Sequence, residues 1–211
     1  MMGWFDFVRS PTGASVDTLR IPLFPLNAVL FPGGVLPLKI FEQRYLDMAA
    51  ACLKGDKPFG ICLIASGGET GTAAQPHPVG TLATIGNWEM EQLGILMITA
   101  HGGRRFRIIE TRVGPDNLLE ASVELLADTL PATLPGERGR LLPLLRRVVN
   151  DLGNERIPEP HRYDDAEWVG YRITEVLPIQ NLAKQKLLEL EDPLARLEIL
   201  EKFLDQRKLL G

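Results

Sequence analysis

Two carboxylate pairs, Glu89/Glu91 and Asp164/Asp165, have the residue types that acid/base chemistry at a glycosidic bond requires. Their spacing argues for something simpler. Glu89 and Glu91 stand two apart in a stretch that reads as strand, so both point to one solvated face. Asp164 and Asp165 precede a helical pattern, where one of them serves as N-cap. The three histidines, His77, His101 and His161, are widely separated and none stands in a His-x-x-x-His or Cys-x-x-Cys pattern, so no metal site is expected. The four serines, Ser10, Ser15, Ser66 and Ser122, lack the strand–turn–helix context of a nucleophile elbow. Cys52 and Cys62 lie among apolar neighbours at a spacing that matches no redox or metal motif. They read as small buried hydrophobes in a reducing compartment.

Phosphate chemistry is equally bare. No Gly-x-x-x-x-Gly-Lys-Ser/Thr occurs, and the glycine-rich Ser66-Gly-Gly-Glu-Thr-Gly leads into a proline-broken loop instead of a helix whose dipole would hold an anion. No cofactor is expected. The basic run Arg104-Arg105-Phe106-Arg107 would suit RNA, through phosphate contacts and stacking on the ring. Nucleic acid is nevertheless disfavoured by the charge balance. Residues 1–127 carry 10 Lys/Arg against 12 Asp/Glu and residues 128–211 carry 13 against 15, so each part is net −2 and neither presents a basic field.

The elements that must position these residues fall into two groups. The 211 residues allow roughly one or two domains, and 45% hydrophobic residues suffice for a core. Residues 1–18 read as a tail ending in turn-forming types. Residues 19–127 read as β-rich. Ile21-Pro-Leu-Phe-Pro-Leu and Val29-Leu-Phe-Pro-Gly-Gly-Val-Leu-Pro-Leu-Lys-Ile are apolar but broken by proline, which predicts edge strands, strand starts or bulges in a small irregular barrel. Helical spacing runs from Phe41 to Leu53, with Gly55 as stop. Strands are expected at 59–65, 79–90, 93–100, 105–113 and 118–126. Residues 66–78 are a connector with little to bury, and His101-Gly102-Gly103-Arg104 is a hairpin turn. On the strand after it, Arg105 and Arg107 share the face opposite Phe106.

Residues 128–211 switch to helical period. Leu141, Leu144, Val148 and Leu152 mark a first helix; Val169, Ile173 and Val176 a second; Leu182, Ala183, Leu187 and Leu190 a third. Asp192-Pro193 caps and opens a fourth through Leu194 and Leu204. Strands first and helices after give a segregated α+β chain. No apolar run approaches the roughly 18 residues of a membrane span, and the N-terminus lacks the parts of a signal peptide, so a cytoplasmic protein with no membrane partner is expected.

The string Ile21-Pro-Leu-Phe-Pro-Leu-Asn-Ala-Val-Leu-Phe-Pro-Gly-Gly-Val-Leu-Pro-Leu-Lys-Ile-Phe-Glu-Gln-Arg-Tyr resembles the opening of the LON substrate-binding domain, the N-terminal domain of ATP-dependent Lon proteases, which bacteria also make as a free-standing protein. Phe59-Gly60, Val79-Gly80-Thr81-Leu82-Ala83, Gly103-Arg104-Arg105-Phe106-Arg107 and the Leu-rich C-terminal stretch with Arg196-Leu197 extend the likeness to about Leu204. The resemblance implies a PUA-like β-barrel followed by a helical bundle. It implies a module that holds unfolded or tagged polypeptide, with a protease or chaperone as further partner. The family's P-loop ATPase and Ser-Lys peptidase have no counterpart in these residues, so no enzymatic activity is expected. For polypeptide the candidates are Phe31, Phe41, Glu42, Arg44, Tyr45 and Trp88, with an extended chain adding along a strand edge or lying in a cleft. The alternatives are an RNA-binding PUA-like protein using Arg104, Arg105 and Arg107, and a small hydrolase with a site that no motif marks.

Overall fold

The computed structural model describes residues 18–127 and 132–210; the expected tail through Asp17, with Ser10 and Ser15, and the start of the helical part at 128–131 lie outside them. The chain separates into two compact units. One comprises residues up to Pro32 together with Leu36–Ala127; the other comprises Gly33–Val35 and Asp128–Gly211.

The first unit is built on seven strands and one helix: β1 (Thr18–Leu26), β2 (Val35–Ile40), α1 (Gln43–Gly55), β3 (Phe59–Ser66), β4 (Gln75–Pro76), β5 (Val79–Gln92), β6 (Ile95–Val113) and β7 (Leu119–Leu125). The pairings β1–β7, β7–β6, β6–β5, β5–β3 and β3–β1 return to their start, so five strands form a closed ring, all antiparallel except β1 with β3. β2 attaches to β6 and the short β4 to β3. Closure removes most edges that a flat sheet would leave open. Two apolar clusters lie on opposite faces of the sheet, one around Phe24, Ile40, Tyr45, Met48, Phe59 and Ile98, where α1 and β2 pack, the other around Ile21, Leu23, Phe106 and Val123.

Three expectations are corrected here. The proline-bearing β1 is not an edge strand; it is paired on both sides. Its first half, Thr18–Leu23, runs against β7, and its second half, Leu23–Leu26, runs beside β3, the two ladders overlapping only at Leu23. Because neither partner uses the full length, Pro22 and Pro25 each have one side on which no ladder hydrogen bond is demanded of them.

No hairpin forms at 101–104. β6 is continuous through those residues, and the turn is Leu93-Gly94, with Gly94 at φ +81°. The glycine pair answers a different need. Between Thr81↔Arg105 and Ala83↔Gly102, β6 spends one residue more than β5, a bulge. There a Cβ on Gly102 would stand 2.1 Å from the carbonyl oxygen of Phe31.

Residues 66–78 also do more than connect. Beyond holding β4, they accept and donate hydrogen bonds to distant segments described below. Phe41 precedes α1, which begins at Gln43 with Glu42 in extended conformation at its N-cap.

The second unit is helical: a 3-10 turn at Gly136–Leu141, then α2 (Leu142–Leu152), α3 (Ala166–Val176), α4 (Asn181–Glu189) and α5 (Pro193–Gln206). The starts obey local chemistry. Asp165 accepts from the backbone N–H groups of Glu167 (2.9 Å) and Trp168 (3.2 Å), and Asp192 from Leu194 (2.8 Å). Leu145, Val149, Trp168, Ile173, Leu187 and Leu200 meet in one core. Arg196 is wholly buried beside them. Its guanidinium lies 4.1 Å from the Tyr171 ring centroid, and its Nε donates to the Leu187 carbonyl at 2.9 Å. A second bond goes to the Leu190 carbonyl, so one cation takes up two carbonyls at the C-terminal end of α4. Among the described residues no helix is long and apolar enough to cross a membrane.

Candidate functional site

A groove of about 270 Å3 opens in the first unit where the end of β1, strand β2, the start of α1 and the β3–β4 connection converge. Its floor is apolar because each element turns its buried face there. Phe24 and Leu26 come from β1, Leu36 and Leu38 from β2, and Tyr45 from the first turn of α1. Phe24 and Tyr45 stack with ring centroids 4.1 Å apart and planes 24° from parallel. Phe41, at the corner between β2 and α1, lines the same groove yet leaves 56% of its surface exposed. A ring held open to water beside an apolar floor is what an incoming apolar side chain would cover.

The polar rim is knit by Glu42, Arg44 and Glu69. Arg44, only 6% exposed, donates from Nη2 to both carboxylate oxygens of Glu42 (3.1 and 3.2 Å) and from Nη1 to the carbonyl of Asn117 (2.9 Å). It thereby ties α1 to the β6–β7 turn, where Asn117 takes a left-handed φ of 61°. The β3–β4 connection reaches back from the other side. Glu69 accepts from the backbone N–H of Asn27 at 2.5 Å, and the N–H of Gly71 donates to Glu42 at 3.2 Å. Burial pushes the Tyr45 phenol above its ordinary pKa, Glu42 and Glu69 add to this, and Arg44 opposes it. The phenol therefore stays neutral.

Of the six residues picked out for polypeptide, Phe41, Glu42 and Tyr45 meet in this groove, and Arg44 lies buried behind its rim. Phe31 does not join them. It is completely buried, its carbonyl against Gly102, while the neighbouring Leu30 carbonyl accepts the Thr81 hydroxyl at 2.6 Å. Trp88 is 57% exposed on β5, outside the groove lining. The β2 residues and Glu69 were not singled out from sequence. Leu36-Pro-Leu was visible as an apolar stretch; the 42-residue step from Asn27 to Glu69 left no local mark.

The three arginines considered for RNA are dispersed. Arg105 is 5% exposed, opposite Thr81 on the face where the Leu30 segment packs. Arg104 donates to the Leu126 carbonyl at 3.1 Å, and Arg107 stands directly opposite Glu124 of β7. Ser66 donates its hydroxyl to the Gln75 side chain at 3.0 Å, and Ser122 lies within β7. Of the carboxylate pairs, Glu91 holds Lys39 at 3.0 Å and Asp165 is the cap of α3. Among the described residues no three His, Cys, Asp or Glu side chains gather as a metal site.

The profile of the ATP-dependent protease La (LON) substrate-binding domain matches residues 20–206. The chain belongs to this family. The LON domain fold is shared with a Lon N-terminal domain protein from Xanthomonas campestris, 33% identical, with a TM-score of 0.72 over 87% of this chain and 97% of that one. The Lon protease of Cytophaga hutchinsonii is 27% identical over 199 residues, 88% of this chain and 24% of its own length. Protein cereblon of Gallus gallus is 29% identical over 119 residues, 54% of this chain and 26% of cereblon. The chain thus spans about a quarter of the length of these curated relatives. Both features of the groove, the proline-rich β1–β2 passage and the α1 start, lie inside the LON match.

Proposed function

We propose that this LON domain is a non-catalytic polypeptide-binding module of the cytoplasm, which grips unfolded or tagged chains and hands them to a protease or chaperone as an adaptor. The observation that carries the reading is the exposed Phe41 ring in a groove floored by Phe24, Leu26, Leu38 and Tyr45. Apolar surface of that kind favours chains that have not buried their own side chains, and it demands no particular sequence. The groove is lined by no histidine, cysteine or serine, and its two carboxylates are engaged in the rim, Glu42 by Arg44 and Glu69 by the Asn27 N–H. Two free, buried cysteines suit a reducing compartment.

The test is binding of reduced, carboxymethylated α-lactalbumin against the same protein folded. Enrichment of the unfolded form, reduced several-fold by Phe41→Ser with the fold intact, is the expected result. Equal capture of folded and unfolded protein, or capture indifferent to Phe41→Ser, would overturn the reading.

A further inference from the structure

We propose that the outer edge of β5 at Trp88–Gln92 is a second polypeptide contact, taking an extended segment that alternates apolar and basic residues as an added antiparallel or parallel strand. The inference rests on the polypeptide-binding reading above and locates a contact that the groove does not supply.

β5 is covered on one side by β6 along its length, but β3 accompanies it only as far as Ala83. Beyond that point, among the described residues, no strand pairs with β5 on the side away from β6. Such an edge is a row of main-chain donors and acceptors awaiting a partner. Natural edges are commonly blunted by proline, lysine or a bulge. The β5 edge has bulges between Ile85 and Trp88 and between Met90 and Gln92, but from Trp88 to Met90 it pairs with Ile98, Met97 and Leu96 in regular register, and 88–92 contains neither proline nor lysine.

The side chains specify the occupant. Trp88 (57% exposed) and Met90 (52%) share one face, the face on which Ile98 and Leu96 of β6 are buried. Glu89 and Glu91 share the other. A strand laid beside them would place apolar residues next to Trp88 and Met90 and basic residues next to the carboxylates. Glu91 already holds one ammonium, that of Lys39 at 3.0 Å, while Glu89 holds none among the described residues. A second copy of this chain is a poor occupant. In a two-fold antiparallel pairing directly opposite residues share a face, so any pairing centred on 89, 90 or 91 sets Glu89 and Glu91 against themselves or each other. The charge pattern therefore disfavours self-pairing and selects a basic, alternating strand.

The experiment uses the full chain and a seven-residue Lys/Val alternating peptide, followed by backbone amide shifts. A Glu/Val peptide is the charge control. Two forms of the Lys/Val peptide carry N-methyl groups, one on the even and one on the odd amides. The expected result is shifts centred on 88–92, binding at least ten-fold tighter than for Glu/Val, and loss of binding with one N-methyl parity but not the other. Glu89→Lys with Glu91→Lys should invert the charge preference. Equal binding by both methylated forms, or shifts confined elsewhere, would overturn the added strand. If carboxymethylated α-lactalbumin binds wild type and the double lysine variant alike while Phe41→Ser loses it, the edge is refuted and the groove stands. If it binds none of them, both fall.

Discussion

The ring of Tyr45 lies flat on that of Phe24, 4.1 Å between centroids, and this stack joins the first turn of α1 to the second half of β1. The two residues are 21 positions apart and meet because β1 carries Phe24 into the same core cluster that receives the buried face of α1, Tyr45, Met48, Ala49 and Cys52. The stack is therefore both the floor of the groove and part of what holds the helix on the sheet.

Removing the ring should separate those roles from the hydroxyl. Tyr45→Ala is expected to lower stability by about 3–5 kcal/mol, the range for deleting a buried aromatic, whereas Tyr45→Phe should stay within about 1 kcal/mol. Urea unfolding of the two variants checks this; equal losses would place the weight on the hydroxyl instead.

Gly102 and Gly103 make a sharp pair. A Cβ at Gly102 would meet the Phe31 carbonyl oxygen at 2.1 Å, main chain that has no rotamer to give, while at Gly103 the nearest atom is 3.5 Å away. Gly102→Ala should cost roughly 2–3 kcal/mol or more by forcing the Leu30–Phe31 segment off β6, and Gly103→Ala should cost less than about 1 kcal/mol. Matched denaturation midpoints for the two would show that the close approach is not a constraint.

That glycine pair also marks the limit of what one-dimensional reading resolves. A turn and a close backbone approach ask for the same residue, and only the partner, 71 positions upstream at Phe31, distinguishes them. Proline in β1 misled for a similar reason: the rule against central strands assumes a full ladder on both sides, and here the ladders change partner at Leu23. The helices were legible because their signals are local. Apolar spacing and aspartates just before the first turn foretold α3 and α5, including the Asp192-Pro193 start, while leaving the α3 cap open between Asp164 and Asp165, of which the fold uses Asp165. At the groove, Phe41, Glu42 and Tyr45 stood close in the chain and could be picked out together. Glu69 entered through a long-range bond that composition does not encode.

Both thiols should be inert in the folded protein. Burial pushes Cys52 up to about 11, with Lys57 opposing, and burial raises Cys62 further still. At pH 8 roughly one Cys52 in a thousand would be thiolate, the reactive form. Ellman's reagent should count almost no thiol in native protein and two after denaturation. Rapid native labelling of either cysteine would contradict the burial.

Glu175, near the end of α3, gives the second unit a pH-dependent stability. Its carboxylate takes a bond from Arg172 Nη2 at 2.9 Å, and its main-chain carbonyl takes one from Lys184 at 2.7 Å, while Arg172 also donates to the Gly33 carbonyl. Burial nevertheless outweighs the attraction of Arg172, Lys184 and Arg156 and raises the Glu175 pKa from 4.5 to about 7. The folded state thus holds this proton more tightly than the unfolded chain does. Between about pH 4.5 and 7 the native form binds more protons, so this group's contribution to stability falls as pH rises through that window and is level above it. The full span is on the order of 3 kcal/mol. Glu175→Gln should flatten the slope, because an amide has no proton to lose on the way up. Urea unfolding followed through buried Trp168 between pH 5 and 8 measures it, and slopes that match in wild type and variant would show that Glu175 is ionised throughout.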